Sequence, residues 1–144
     1  MPQPDIDSAY EVTWLIRRLF RAMAAKADDY LADTGLSAAD RAVMEFLYPQ
    51  QELSVPDIAR RYDVSRQHVQ VTVNGLVARG LVRSVPNPKH KRSPLIRMSE
   101  LGRSSFEEIR RNETAVVQHL FGGIPDDALD TTRETLATLL KKLH

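Results

Sequence analysis

The sequence predicts a mainly α-helical domain that carries one small β-hairpin, and three observations lead to this prediction. Apolar residues recur at helical spacing in both terminal segments of the chain. Serines stand at positions typical of helix N-caps in the middle. A loop with three prolines separates two short apolar segments. With 144 residues and no internal repeat, the chain is expected to form one domain over residues 1–144.

The N-terminal segment predicts a long helix over residues 7–33. Leu15, Leu19 and Met23 repeat near the helical period, and Gly35 follows where a helix commonly ends. The apolar stripe of this helix needs a partner surface.

Three serines predict the starts of shorter helices in the middle of the chain. Ser37 precedes a helix that runs to about Pro49, and Ser54 precedes a short helix that ends at Tyr62. Ser65 opens a third helix, which ends at Gly80 because glycine suits a left-handed C-cap. The last two helices are joined by a tight turn.

A β-hairpin is predicted after Gly80. The segments 81–85 and 95–98 read as strands, and the prolines of the intervening residues 86–94 forbid a helix. A long helix then starts at Ser99, and a last helix starts at Asp126 after a break at residues 122–125.

The charges are unevenly distributed, although the formal net charge is only +1. Between Asp57 and Arg103 there are ten Lys/Arg and three acids, and the rest of the chain is net acidic. A basic middle with acidic flanks indicates that this segment contacts a polyanion.

Several classes of function are excluded or disfavoured by the composition. The chain has no cysteine, which rules out disulfides, thiolate metal sites and thiol redox sensing. No apolar run could cross a membrane, and residues 1–8 are polar rather than a signal peptide, so a cytoplasmic location is expected. The sequence has no nucleotide-binding loop, hydrolase elbow or metalloprotease motif, and its histidines lack ligand-like spacing, so no enzyme, cofactor or metal is expected.

The helix from Ser65 to Arg79 is the candidate for DNA recognition. At 100° per residue, Val69, Val73, Leu76 and Val77 form one stripe, which is predicted to face the core. The other side then carries residues suited to base edges: glutamine and asparagine for adenine, and valine for a thymine methyl. These residues are Gln67, His68, Gln70, Val71, Thr72 and Asn74.

Gly75 lies on the same outward side of this helix. Glycine costs about 1 kcal/mol inside a helix relative to alanine, so its presence needs a reason. Close approach to a DNA backbone is one reason, and packing that requires a small residue is the other.

Phosphate contacts are predicted from two neighbouring groups. The first is the N-cap of the recognition helix with adjacent cations: Arg60, Arg61, Ser65 and Arg66. The second is the hairpin tip, which has the charge and reach to enter a minor groove: Lys89, His90, Lys91 and Arg92.

The order of these elements resembles the MarR family of winged helix-turn-helix transcription regulators from about Tyr10 to Leu143. The stretch 87–103 carries the resemblance, since it is similar to the family's wing pattern of Asp-Pro-x-Asp-x-Arg, an apolar strand, Leu-Thr, two residues and Gly. Arg92 matches the wing-tip arginine, and Gly102 matches the glycine.

The resemblance implies a winged helix-turn-helix lobe over residues 36–100, with dimerisation helices at 7–33 and 103–144. It further implies a homodimeric repressor of a pseudo-palindromic operator on double-stranded DNA, released by a small aromatic or phenolic effector. The effector would bind between the dimer helices and the DNA-binding lobe, where the candidate residues are Trp14, Arg17, Arg18 and Met44.

Four positions depart from the family pattern. His90 replaces an aspartate that steadies the wing arginine, and Asn87 replaces another acid, so a looser or pH-sensitive wing is expected. Val71 and Gly75 stand where arginine is frequent, so weaker DNA binding is expected.

The rival hypothesis is a winged-helix module that binds protein, which would favour an acidic or apolar outer face on the recognition helix.

Overall fold

The computed structural model describes residues 1–144 and confirms a mainly helical fold with a small antiparallel sheet. The elements in chain order are α1 (Ile6–Leu31), a 3-10 turn (Ala32–Thr34), α2 (Ala38–Leu47), β1 (Leu53–Ser54), α3 (Val55–Tyr62), α4 (Arg66–Ala78), β2 (Val82–Val85), β3 (Leu95–Met98), α5 (Glu100–Phe121) and α6 (Asp126–Leu143).

The sheet has three strands in the order β1-β3-β2, and both pairings are antiparallel. β2 and β3 form the predicted hairpin, with Val82 opposite Met98 and Val85 opposite Leu95. Strand β1, in which Leu53 pairs with Ile96, was not predicted from the sequence. Two residues are too few to show strand alternation, so only the pairing itself defines this strand.

The chain divides into two compact units, Met1–Arg110 and Arg111–His144. The core of the first unit brings together α2, α3, α4, the sheet and the first part of α5. Its fully buried side chains are Val43, Met44, Leu47, Ile58, Val69, Val73, Leu76, Val82, Phe106 and Ile109. This core fixes α4 on one side of the sheet, where one face of the helix remains exposed.

All three predicted serine caps are present. Ser37 forms a reciprocal capping box with Asp40, and Ser54 accepts a hydrogen bond from the Asp57 amide. Ser65 accepts one from the His68 amide at 3.0 Å. Gly80 has φ +71°, the left-handed conformation expected after the C-terminus of α4.

The buried face of α4 differs from the prediction at two positions. Val77 is exposed, whereas Thr72 is buried and donates its hydroxyl hydrogen bond to the His68 carbonyl. The stripe is centred on Val69, Val73 and Leu76, and Val77 lies about 70° from that centre at 100° per residue. Thr72 lies at a similar angle on the other side of the stripe, and the packing of α4 on the core buries it, so its predicted DNA-facing position is corrected to a core position.

Long apolar stripes are exposed on the terminal helix of each unit. In the first unit, α1 buries only Leu31. Its exposed large apolar residues are Ile6, Tyr10, Val12, Trp14, Leu15, Ile16, Leu19, Phe20 and Met23. In the second unit, α6 buries no residue, and its exposed leucines are Leu129, Leu136, Leu139, Leu140 and Leu143. No helix is long and apolar enough to span a membrane.

The cap of α3 makes stability depend on pH. Hydrogen bonding from the Ser54 side chain, and then from Arg60, lowers the pKa of the Asp57 carboxyl. A lowered folded-state pKa contributes stability above the unfolded pKa, and this contribution is lost as the pH falls through the folded value. We expect Asp57→Asn to lower the free energy of unfolding at pH 7 and to have less effect below about pH 4. Urea denaturation at both pH values measures this, and an equal loss at both would contradict it.

Candidate nucleic-acid interface

Helices α3 and α4 form the predicted helix-turn-helix. α3 ends at Tyr62, and its C-cap residue Asp63 has φ +62°, which lets the chain reverse within a few residues. Ser65 then caps α4 by accepting a hydrogen bond from the His68 amide. Other amide groups in the exposed first turn of the helix remain free. The N-terminus of α4 therefore carries the positive end of the helix dipole at the surface.

The outward face of α4 is polar but almost uncharged. Along this face the exposed residues are Gln67, His68, Gln70, Val71, Asn74, Gly75 and Ala78. Gln70 donates a hydrogen bond from Nε2 to Oδ1 of Asn74 at 2.9 Å, which couples the two amides one turn apart. Val71 is 66% exposed, an unusual position for a valine on a polar surface. The face combines amide groups with one apolar side chain.

His68 packs beside an aromatic pair rather than standing free. Its ring lies 6.4 Å from the ring of Tyr62, and Tyr62 lies 5.9 Å from Phe46. This places the imidazole toward α3, at the edge of the outward face.

The cations around the N-terminus of α4 differ in their availability. Arg60 forms an ion pair with Asp57 at 2.6 Å within α3. Arg61 and Arg66 are exposed and form no ion pair in the chain. Arg61 and Arg66 are therefore better placed than Arg60 to meet an external anion.

Asn87 organises the base of the wing, which consists of β2, β3 and the loop of residues 86–94 between them. Its Nδ2 donates to the Ser93 carbonyl at 2.9 Å, and its Oδ1 accepts from the Lys89 amide at 3.0 Å. An aspartate could accept but could not donate the bond to Ser93. The asparagine thus links both sides of the loop, which argues against the looser wing expected from the sequence.

The tip of the wing is exposed and free of acidic partners. Lys89, His90, Lys91 and Arg92 are all exposed, and none forms an ion pair in the chain. Four basic or potentially basic side chains within one exposed loop create a local positive potential.

A groove of about 620 Å³ separates α4 from the wing. Arg66, Gln70 and Asn74 line it from α4, and Arg92 lines it from the wing. Ser84 also lines the groove and was not predicted from the sequence. It lies two residues after the buried Val82, so strand alternation could have indicated its face. The tertiary fold brings one arginine from each predicted basic group, Arg66 and Arg92, to the same groove.

No intramolecular contact accounts for Gly75. A Cβ placed there has nothing within 4 Å, so packing within this chain does not require glycine. We expect Gly75→Ala to raise the free energy of unfolding by about 1 kcal/mol through helix propensity. If DNA approaches this point, the same substitution lowers DNA affinity severalfold. Denaturation and DNA titration of one preparation test both effects, and unchanged affinity would contradict the approach of DNA.

The predicted effector residues lie in different environments. Trp14 and Arg17 are exposed on α1, and the Arg18 guanidinium lies 4.5 Å from the centre of the Trp14 ring. Met44 is fully buried in the core of the first unit. Its side chain has no free surface to offer a ligand, so the prediction for Met44 is corrected to a core role. No group of three or more His, Cys, Asp or Glu side chains is placed to hold a metal ion.

Comparisons with known proteins agree with this architecture. The model of the MarR family matches residues 34–93. The uncharacterized protein Rv2011c of Mycobacterium tuberculosis is 32% identical over 140 residues, which cover 96% of this chain and 91% of the relative.

Two solved structures share the fold over most of the chain. A mutant of MarR from E. coli, complexed with operator DNA, superimposes with a TM-score of 0.80 at 19% identity and covers 96% of this chain and 99% of its own. CouR from Rhodococcus jostii RHA1, bound to p-coumaroyl-CoA, has a TM-score of 0.80 at 25% identity and covers 89% of this chain and 90% of its own.

The wing pattern, the helix-turn-helix and these likenesses agree with one another. The members of the matching family are transcription regulators. The chain belongs to the MarR family of winged helix-turn-helix transcription regulators.

Proposed function

We propose that this protein is a homodimeric regulator that binds double-stranded DNA at a pseudo-palindromic operator and represses transcription. One observation carries the proposal: cations without ion-pair partners, on α4 and on the wing, border the same groove beside a polar helix face. Such a surface suits phosphates at its rim and base edges at its centre. The protein acts by binding and not by catalysis.

The likeness to E. coli MarR in complex with operator DNA supports this proposal at the level of the fold. The rival hypothesis of a protein-binding module favours an acidic or apolar outer face on α4. The observed face is instead neutral and polar with basic neighbours, which favours DNA.

The exposed apolar stripes of α1 and α6 support the proposed dimer. Contiguous exposed apolar patches of this kind mark interaction sites, and a second copy of the chain offers the matching stripes. Two α4 helices in one dimer would read half-sites about 34 Å apart, one helical turn of DNA.

The effector is proposed to be a small aromatic or phenolic compound, and aromatic acids are the first candidates. CouR was solved with p-coumaroyl-CoA, an aromatic acyl compound, and here α1 exposes Trp14 beside Arg17 and Arg18. An aromatic ring can stack on Trp14, and an arginine can pair with a carboxylate. Binding would shift the population of dimers toward a separation of the two α4 helices that no longer fits the operator. Titration of the DNA complex with aromatic acids tests this, and an unchanged DNA affinity throughout would contradict it.

The proposed function is tested by fluorescence anisotropy of the protein with duplexes from its own upstream region over a salt series. We expect tight, salt-sensitive binding, and we expect Arg92→Ala to weaken it about tenfold and to reduce the salt dependence, because a phosphate or minor-groove contact is lost.

The matched control is Arg133→Ala, which removes the same charge from an exposed arginine that is ion-paired with Asp130 on α6. This variant should bind as the unmodified protein does. Equal losses for both variants would indicate a nonspecific charge effect, and no binding at low salt by a folded dimer would favour the protein-binding module.

A further inference from the structure

We propose that α4 reads A·T base pairs, with Val71 contacting a thymine methyl and the coupled amides of Gln70 and Asn74 pairing with adenine. The proposal rests on the proposed function and adds the base preference of the same surface. It assigns specificity to three exposed side chains that otherwise have no role in the fold.

The centre of the outward face of α4 lacks cations. Arginine and lysine are the side chains that most often read guanine, through its O6 and N7 atoms. In α4 the only cation is Arg66, which lies in the first turn and lines the groove toward the wing. His68 is drawn toward α3 by its ring contact with Tyr62. The centre of the face therefore holds no arginine or lysine for guanine.

The side-chain amides of Gln70 and Asn74 are held together by a hydrogen bond. Gln70 uses one Nε2 hydrogen to bond Oδ1 of Asn74, which orients both groups. Oε1 of Gln70 remains an acceptor, and Nδ2 of Asn74 remains a donor. Adenine offers in the major groove the complementary pair, the N6 donor and the N7 acceptor. The hydrogen bond between the amides thus prepares one donor and one acceptor for a single adenine edge.

Val71 is exposed beside an open part of the α4 surface. This valine is 66% exposed and lies one turn before Gly75, where nothing occupies the space within 4 Å of a would-be Cβ. An exposed methyl group beside an open surface can approach closely an apolar feature of DNA. In the major groove that feature is the C5 methyl of thymine.

The experiment begins with selection of the highest-affinity duplexes from a random library by the full-length dimer. We expect A·T pairs at the positions that α4 contacts. In the selected duplex, thymine is then replaced by uracil, which lacks only the methyl group, and adenine by 7-deazaadenine, which lacks only the N7 acceptor.

We expect each uracil replacement at the contacted position to weaken binding by about fourfold, the weight of one buried methyl-sized group. Val71→Ala should bind the thymine and uracil duplexes equally. Val117→Ala is the matched control, since it removes an exposed valine from α5, outside the groove. That variant should keep the fourfold preference for thymine.

A second set of binding measurements tests the recognition of adenine. We expect 7-deazaadenine to weaken binding by the unmodified protein about fivefold, and the variant with both Gln70→Ala and Asn74→Ala to show no such preference. Selection of G·C pairs at the contacted positions, or insensitivity to both base analogues, would overturn the A·T proposal while DNA binding stands. Failure to bind any duplex would instead refute the proposed function.

Discussion

Gly102→Ala is expected to destabilise the protein by about 2 to 3 kcal/mol, although alanine favours helices. Gly102 lies in the first turn of α5, and a Cβ at this residue would be 1.9 Å from the carbonyl oxygen of Leu81 and 2.7 Å from Cγ of Met98. The Leu81 carbonyl cannot move away freely because it accepts the backbone hydrogen bond of Ser99 at 3.0 Å.

Relief of this overlap requires α5 to move away from Leu81 and from Met98 in β3. The same helix carries Phe106 and Ile109, which are fully buried, so its displacement opens the core of the first unit. The start of α5 is also tied by Ser99, whose hydroxyl donates to the Gly80 carbonyl and accepts from the Gly102 amide. The loss of stability in Gly102→Ala is therefore expected to come from both packing and hydrogen bonds.

Urea denaturation followed by circular dichroism measures the effect of Gly102→Ala. Gly75→Ala is the matched control, because it makes the same chemical change in a helix where the new methyl group meets nothing. The two substitutions should change stability in opposite directions. If Gly102→Ala matched the stability of the unmodified protein, the close packing of α5 against Leu81 would be wrong.

Leu136→Glu on α6 is expected to raise the dissociation constant of the dimer more than 100-fold and to abolish tight operator binding. Leu129, Leu136, Leu139 and Leu143 repeat at intervals that place them along one side of the helix. In a dimer that buries this stripe, each copy loses a leucine worth about 1.5 to 3 kcal/mol and must bury a carboxylate. Symmetry doubles the loss.

Analytical ultracentrifugation gives the oligomeric state, and anisotropy gives the DNA affinity of the same sample. Thr138→Glu is the matched control, since it introduces the same charge on the opposite side of α6, where Thr138 donates a hydrogen bond only to the Glu134 carbonyl. This variant should remain dimeric. A dimeric Leu136→Glu variant would exclude this stripe from the interface.

The elements that sequence alone predicted are those with strong local signals. Ser37, Ser54 and Ser65 identified three helix starts because a serine hydroxyl satisfies amide groups at a helix N-terminus. The prolines of residues 86–94 and the glycine at position 80 indicated the hairpin for similarly local reasons. The same local signals, with the wing pattern, predicted the family.

Other features depended on contacts between distant parts of the chain. β1 exists only because Leu53 pairs with Ile96, and two residues carry no periodic signal. The burial of Thr72 and the exposure of Val77 were decided by how α4 sits on the core, which an angular projection resolves only to about one position.

The sequence by itself determined the helices, the wing and the basic segment, because capping, turn chemistry and charge act over a few residues. Only the tertiary structure decided that Arg66 and Arg92 border one groove, and that Asn87 links both sides of the wing. It also decided that Gly102 meets Leu81 while Gly75 faces open space. These outcomes depend on distances between residues far apart in the chain, and those distances are set by the packing of the whole core.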